Sequence, residues 1–108
     1  MALLFTPLKM GAQTLPNRIC VPPMCCCLAR EGVGSDELIA HYEKLGRFRA
    51  GLVVIEATAV RADGTYHNAM SGAYTTSRSD FFKRLLKGLP CRGSRRDQVL
   101  PSAFALRS

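Results

Sequence analysis

The sequence predicts an α/β fold with a parallel sheet, and three observations carry that prediction. Leu52-Val53-Val54-Ile55 is a run of four apolar residues, three of them β-branched, which suits a strand buried on both faces. Apolar residues recur at helical spacing on either side of it, as Leu38, Ile39, Tyr42 and Leu45 before it and Phe82, Leu85, Leu86 and Leu89 after it. A second strand-like run, Arg18 to Val21, precedes the first helical stretch. Strands that alternate with helices imply a parallel sheet joined by right-handed crossovers.

The chain opens on Leu3 to Phe5, which is short and apolar, and Pro7 stiffens the backbone just after it. Leu8-Lys9-Met10 and Thr14-Leu15 flank Gly11-Ala12-Gln13. This predicts a small hairpin with Gly11 at positive φ, ended by Pro16. After Arg18 to Val21, Pro22-Pro23 stops any ladder, because neither residue has an N–H to donate.

Gly32 and Gly34 mark a loop, and Ser35 is a good N-cap for the first helix. Asp36 and Glu37 fall in its first turn and Arg47 and Arg49 near its end, each suiting the nearby pole of the helix dipole. Gly51 introduces the central strand, which Glu56-Ala57-Thr58-Ala59 carries to its C-terminal end. Asp63-Gly64 is a turn signal, and residues 64–74 have no clear period. Thr75 or Ser77 caps the second helix, Lys83, Arg84 and Lys87 form its wet face, and Gly88 and Pro90 end it. Beyond Pro90 the pattern stops: Arg92-Gly93-Ser94-Arg95-Arg96 is polar and basic, and no convincing strand comes after it. An irregular basic tail is expected there.

With 108 residues the chain has room for one small domain, and a hydrophobic content of 47% suits a globular protein. The net charge of +7 is densest in residues 90–108, where four Arg stand against Asp97. That tail has no Lys run and one aromatic, Phe104, and no nucleic-acid-binding motif precedes it, so no nucleic-acid partner is expected. No stretch reaches about 18 apolar residues, and Met1 to Met10 lacks the parts of a signal peptide. No membrane partner is expected. Five cysteines, three of them adjacent, match no paired-cysteine zinc pattern. Reduced thiols in a cytoplasmic protein are the simplest reading, with metal or redox sensing by Cys25-Cys26-Cys27 as a competing one. On the residues alone the three are also buried small hydrophobes. His41 reads as a structural helix residue and His67 as a solvated loop residue. Glu56 ends an apolar strand, where a charge is costly unless paired, and reads as structural rather than as a general acid.

Several pieces together resemble a known family. Leu4-Phe5-Thr6-Pro7-Leu8, Gly11, Leu15-Pro16-Asn17-Arg18-Ile19 and Pro23-Met24-Cys25 look like the start of the old yellow enzymes. His41-Tyr42, Gly51 to Val60 and Gly72-Ala73-Tyr74 continue the resemblance in order, over about residues 3–89. It implies an incomplete (β/α)8 TIM barrel: residues 1–89 as the N-terminal portion, a hairpin followed by two βα units, and residues 90–108 as a tail foreign to the family. It further implies FMN as cofactor, NAD(P)H as electron donor and an activated alkene such as an enone as substrate. A full barrel of this kind needs roughly 250 residues.

Carried over residue by residue, the resemblance puts Pro22, Pro23, Met24 and Cys25 along the flavin, as a rigid apolar wall with few donors. The Cys25 thiol would hydrogen-bond the ring. Ala57 falls on a flavin-contacting position where a small side chain lets the backbone approach. Cys27 falls where many relatives place a Tyr whose hydroxyl touches substrate; Cys is shorter and a weaker donor. Cys20 and Cys26 remain small hydrophobes, and Cys91 lies outside the match. Two departures stand out. Relatives usually end the first helix with glycine-rich sequence, where this chain has Gly46-Arg47-Phe48-Arg49-Ala50. After Leu89 the family's third strand with its flavin-binding Gln, and its later His, Tyr and Arg residues, have no counterpart. No catalytic residue is therefore assigned. The expectation is a truncated, inactive piece of such an oxidoreductase with an out-of-frame end. The competing expectation is a non-catalytic binding or regulatory module that uses the basic tail or exposed apolar surface.

Overall fold

The computed structural model describes residues 2–65, 67–89 and 99–104. A short 3-10 turn, Leu3–Phe5, leads into the hairpin of β1 (Leu8–Met10) and β2 (Gln13–Leu15). The two strands pair antiparallel, Leu8 opposite Leu15, and Gly11 takes φ +60 in the turn. β3 (Cys20–Val21), α1 (Asp36–Arg47), β4 (Leu52–Ala59), β5 (Ser71–Gly72), α2 (Thr76–Gly88) and β6 (Val99–Phe104) come next in order.

β4 is the hub of the sheet. β3 pairs with its start, Cys20 opposite Leu52, and β5 with its end, Thr58 opposite Ser71. β6 pairs with it from Val53 to Ala59, and all three pairings are parallel. Because Val53, Thr58 and Ala59 each have two partners, β3 and β5 share one edge of β4 and β6 takes the other. Six of the eight residues of β4 are buried, as a parallel strand requires.

Two elements correct the sequence reading. Residues 99–104 form a strand where irregular structure was expected. β4 presents a row of N–H and C=O groups along that edge, and a parallel neighbour satisfies them. Pro101 argues against a strand in sequence, since it cannot donate to a ladder. The register shifts at that point, from Ile55 opposite Pro101 to Ala57 opposite Ser102, so Glu56 has no partner on β6. The remainder of the expected tail, residues 90–98 and 105–108, lies outside the described residues, as does Cys91. The second correction is β5, a two-residue strand in a stretch with no period.

Both helices begin as their caps dictate. The Ser35 hydroxyl accepts the N–H of Leu38 at 3.2 Å, and the Thr75 hydroxyl accepts that of Arg78 at 3.4 Å. The carboxyl of Glu37 is held below its usual range by its own backbone N–H and by the Ser35 hydroxyl. Leu38 and Tyr42 of α1, Val53 and Ile55 of β4, Phe81 and Leu85 of α2, and Leu89 just past its end form one buried core. On α2 the fully buried aromatic is Phe81; Phe82, expected on the apolar face, is only partly buried beside it. Gly34 explains the choice, because a Cβ there would overlap the Phe81 ring.

The turn from α1 to β4 is clamped by one side chain. Asn17 Oδ1 accepts the N–H groups of Gly51 (2.7 Å) and Ile19 (3.0 Å), while its Nδ2 donates to the Arg49 carbonyl at 2.9 Å. A Cβ on Gly51 would collide with the Asn17 carbonyl. Arg49 itself adopts φ 55, the left-handed conformation in which a helix usually ends on glycine.

Candidate functional site

The C-terminal end of β3 is where the chain leaves the sheet. Pro22 and Pro23 offer no N–H, so the β3–β4 ladder stops after two residue pairs. The departing chain is then held by a side chain instead of a backbone partner. Glu56, fully buried, accepts the N–H of Cys26 on Oε2 at 2.8 Å and the Ser71 hydroxyl on Oε1 at 3.0 Å. The Tyr42 hydroxyl accepts the N–H of Glu56 at 2.7 Å, and the Thr58 hydroxyl donates to the Glu56 carbonyl at 3.0 Å. Glu56 thereby ties the segment that follows β3 to β4 and β5 at one point. Its role as a paired structural carboxylate, expected from sequence, is the one its partners give it.

Around this anchor the segment splits by side. Pro22 and Met24 line a crevice of about 10 Å³ against His41, Tyr42 and Leu45 of α1, and Cys26 packs against the core. His41 faces this crevice and stacks edge-on with Tyr42, its centroid 5.3 Å away, in keeping with a structural role. Cys25 and Cys27 lie together, with their sulfurs 3.7 Å apart. Alternation along the chain from Pro22 to Cys26 contributes to this sorting. Pro22, Pro23, Met24, Cys25 and Cys27 are exposed, Met24 at 60%, and Ala57, next to Glu56, is half-buried. Cys27 holds φ 56, an uncommon conformation for a non-glycine residue.

The thiols differ in chemistry. Burial pushes the Cys26 thiol up to about 11, and the neighbouring Glu56 carboxylate adds to that. The Cys27 thiol is raised first by its hydrogen bond with Cys25 and then by burial. The Tyr42 phenol is raised, chiefly by burial. Cys20, Cys25, Cys26 and Cys27 are all free. Among the described residues no group of three or more His, Cys, Asp or Glu side chains could hold a metal ion, and no helix is long and apolar enough to cross a membrane.

A second concavity escaped the sequence reading. A cavity of about 380 Å³ is lined by Glu31, Gly32, Thr65, His67, Asn68, Met70 and Tyr74. His67, expected to be merely solvated, is one of its walls, and its Nδ1 accepts the N–H of Ala69 at 3.0 Å. No period or motif in residues 64–74 signals it.

Two prolines and an exposed methionine form a surface with few donors at the end of β3. Comparison with known proteins bears on fold and family. Structures similar to this chain include the old yellow enzyme of Pichia sp. AKU4542, with a TM-score of 0.84 at 23% identity over 96% of this chain and 26% of that one. Morphinone reductase in complex with tetrahydroNAD matches with a TM-score of 0.82 at 24% identity, over 97% of this chain and 28% of that one. The fold is thus that of part of a βα barrel. In sequence, the NADPH dehydrogenase of Listeria monocytogenes serotype 4a (strain HCC23) is 34% identical over 97 residues, covering 88% of this chain and 29% of the relative. The NADPH dehydrogenase of Bacillus subtilis (strain 168) is 31% identical over 94 residues, 85% of this chain and 28% of the relative. The chain spans less than a third of the length of these relatives. Residues 3–94 match the sequence pattern of the NADH:flavin oxidoreductase / NADH oxidase family, and the chain belongs to that family.

Proposed function

We propose that Pro22, Pro23, Met24 and Cys25, with Ala57 beside them, form one wall of an FMN site in an oxidoreductase of the old yellow enzyme type. When bound, FMN would take a hydride from NAD(P)H and deliver it to an activated alkene such as an enone. The contribution of this chain is positional. Pro22 and Pro23 fix the backbone, Met24 supplies apolar surface, and Cys25 offers a thiol to a ring heteroatom. Glu56 holds the segment through the Cys26 N–H, which is the observation that carries the reading. Cys27, with its short exposed thiol, is proposed as a substrate contact weaker than a phenol would make.

In this reading residues 1–89 are the barrel portion, and the 90–108 tail adds β6 along β4. The chain in this reading supplies one wall of the flavin site, so by itself it binds flavin weakly and turns nothing over. The four free thiols favour a reducing, cytoplasmic setting. Titration of the intact chain with FMN, followed by visible absorbance, and an NADPH-oxidation assay with a cyclic enone test the proposal. Weak binding that falls further in Met24→Ala, with no turnover, is expected. A stoichiometric yellow protein with turnover would overturn the inactivity, and binding unchanged by Met24→Ala would overturn the wall.

A second reading is favoured by the exposed apolar side chains Leu3 (66%), Phe5 (62%) and Phe48 (69%). They suit a non-catalytic binding module. Under that reading an acidic partner is lost, with steep salt dependence, when residues 90–108 are deleted.

A further inference from the structure

Cys25 and Cys27 are adjacent in space and exposed, and their geometry is set by the residue between them. The Cys26 N–H is tied to Glu56, and its sulfur turns the other way, toward the Met24 carbonyl at 3.5 Å. The two flanking side chains therefore project together from an anchored backbone, sulfur to sulfur at 3.7 Å. A disulfide needs about 2.05 Å. The remaining approach is about 1.7 Å between the two sulfurs, which rotation about the two Cα–Cβ bonds would have to supply. The left-handed turn at Cys27 belongs to the same local arrangement.

We propose that Cys25 and Cys27 are a redox-active dithiol, closing to an intramolecular disulfide by exchange with a low-molecular-weight disulfide such as oxidised glutathione. The Cys25 thiolate attacks one sulfur of that disulfide, whose S–S bond breaks and releases one thiolate. A mixed disulfide at Cys25 results. Cys27 then loses its proton and attacks the Cys25 sulfur, forming the Cys25–Cys27 bond and expelling the second thiolate, which takes up the proton. Two protein thiols are oxidised and one small disulfide is reduced to two thiols. The raised Cys27 thiol, in its hydrogen bond with Cys25, suits the second position in this order. Cys26 is kept out of exchange near neutral pH by its burial and by Glu56. None of this depends on a flavin being bound.

The test equilibrates the intact chain in glutathione redox buffers, alkylates the free thiols and sequences the peptide Ile19 to Arg30 by tandem mass spectrometry. The expected product has Cys20 and Cys26 alkylated and Cys25 linked to Cys27, is lighter by two hydrogens, and reverts with dithiothreitol. Cys26→Ser retains the link. Cys27→Ser abolishes it and leaves a glutathione adduct on Cys25. A link through Cys20 or Cys26, a disulfide-bonded dimer in its place, or adducts with no internal link at any buffer ratio would overturn the proposal. Circular dichroism of each variant confirms that the fold is kept, and the wild-type result stands by itself where a variant unfolds.

Discussion

The carboxylate of Glu56 accepts the backbone N–H of Cys26 at 2.8 Å, joining positions thirty residues apart where two prolines have ended the ladder. A side chain here performs the work of a missing strand partner. Glu56→Ala leaves that N–H and the Ser71 hydroxyl without their acceptor in a buried place. A loss of about 2–3 kcal/mol is expected. Glu56→Gln keeps one acceptor and loses less. Urea denaturation of the three proteins ranks them, and an alanine variant as stable as wild type would show that the clamp contributes nothing.

Arg49 takes φ 55 at the end of α1, a conformation that costs an L-residue roughly 1–2 kcal/mol and glycine almost nothing. Arg49→Gly should therefore stabilise the chain, by about 0.5–1 kcal/mol once the entropy of the unfolded glycine is counted. A rise in the urea midpoint at unchanged slope is the expected observation.

Asn17 satisfies three backbone groups at the same turn. Asn17→Ala removes all three bonds, with an expected cost of about 1–3 kcal/mol. Asn17→Asp keeps both acceptor bonds and should recover most of that. Equal destabilisation by the two substitutions would contradict the assignment.

Gly34 makes room for the Phe81 ring. Gly34→Ala forces that ring out of the core and should cost about 1–3 kcal/mol. In the double variant with Phe81→Leu the penalty for the added methyl should shrink, so a double-mutant cycle on thermal stability tests the contact. A strictly additive cycle would mean that the methyl is accommodated elsewhere.

The Cys26 thiol supplies a pH dependence. Its folded value, about 11, lies above the unfolded value of 9.0, so the folded state binds the proton more tightly. The associated stability is complete below pH 9 and is lost as pH rises toward 11. Melting temperatures of wild type and Cys26→Ser, compared from pH 7 to 11, should show the steeper alkaline decline in wild type. Parallel curves would assign the decline to other groups.

Local signals made much of this fold legible. The hairpin, both caps and the length of β4 follow from turn chemistry, side-chain period and β-branching within a few residues. What escaped depends on distant partners. β5 is two residues long, and the N–H of Gly72 bonds the Gly32 carbonyl at 2.9 Å, a contact no window of residues 64–74 contains. β6 was hidden by Pro101, whose lost donor is absorbed by a register shift visible only against β4. Phe81 rather than Phe82 fills the core because of Gly34, far away in sequence. At the site, resemblance picked out Pro22 to Cys25 as a unit. The division that puts Pro22 and Met24 against α1 and pairs Cys25 with Cys27 depends on how the chain leaves the sheet.

The order in which β4 acquires its neighbours bears on how the chain matures. The β1–β2 hairpin closes locally, on a timescale of about 1–10 μs. The partners of β4 come from both directions along the chain, β3 well before it and β6 well after it. Such non-local parallel pairing is slow. During synthesis β3, α1 and β4 emerge together, while the edge that β6 will occupy stays bare until residues 99–104 have emerged. Chaperone engagement should therefore be concentrated on nascent chains that have exposed β4 but not yet residues 99–104.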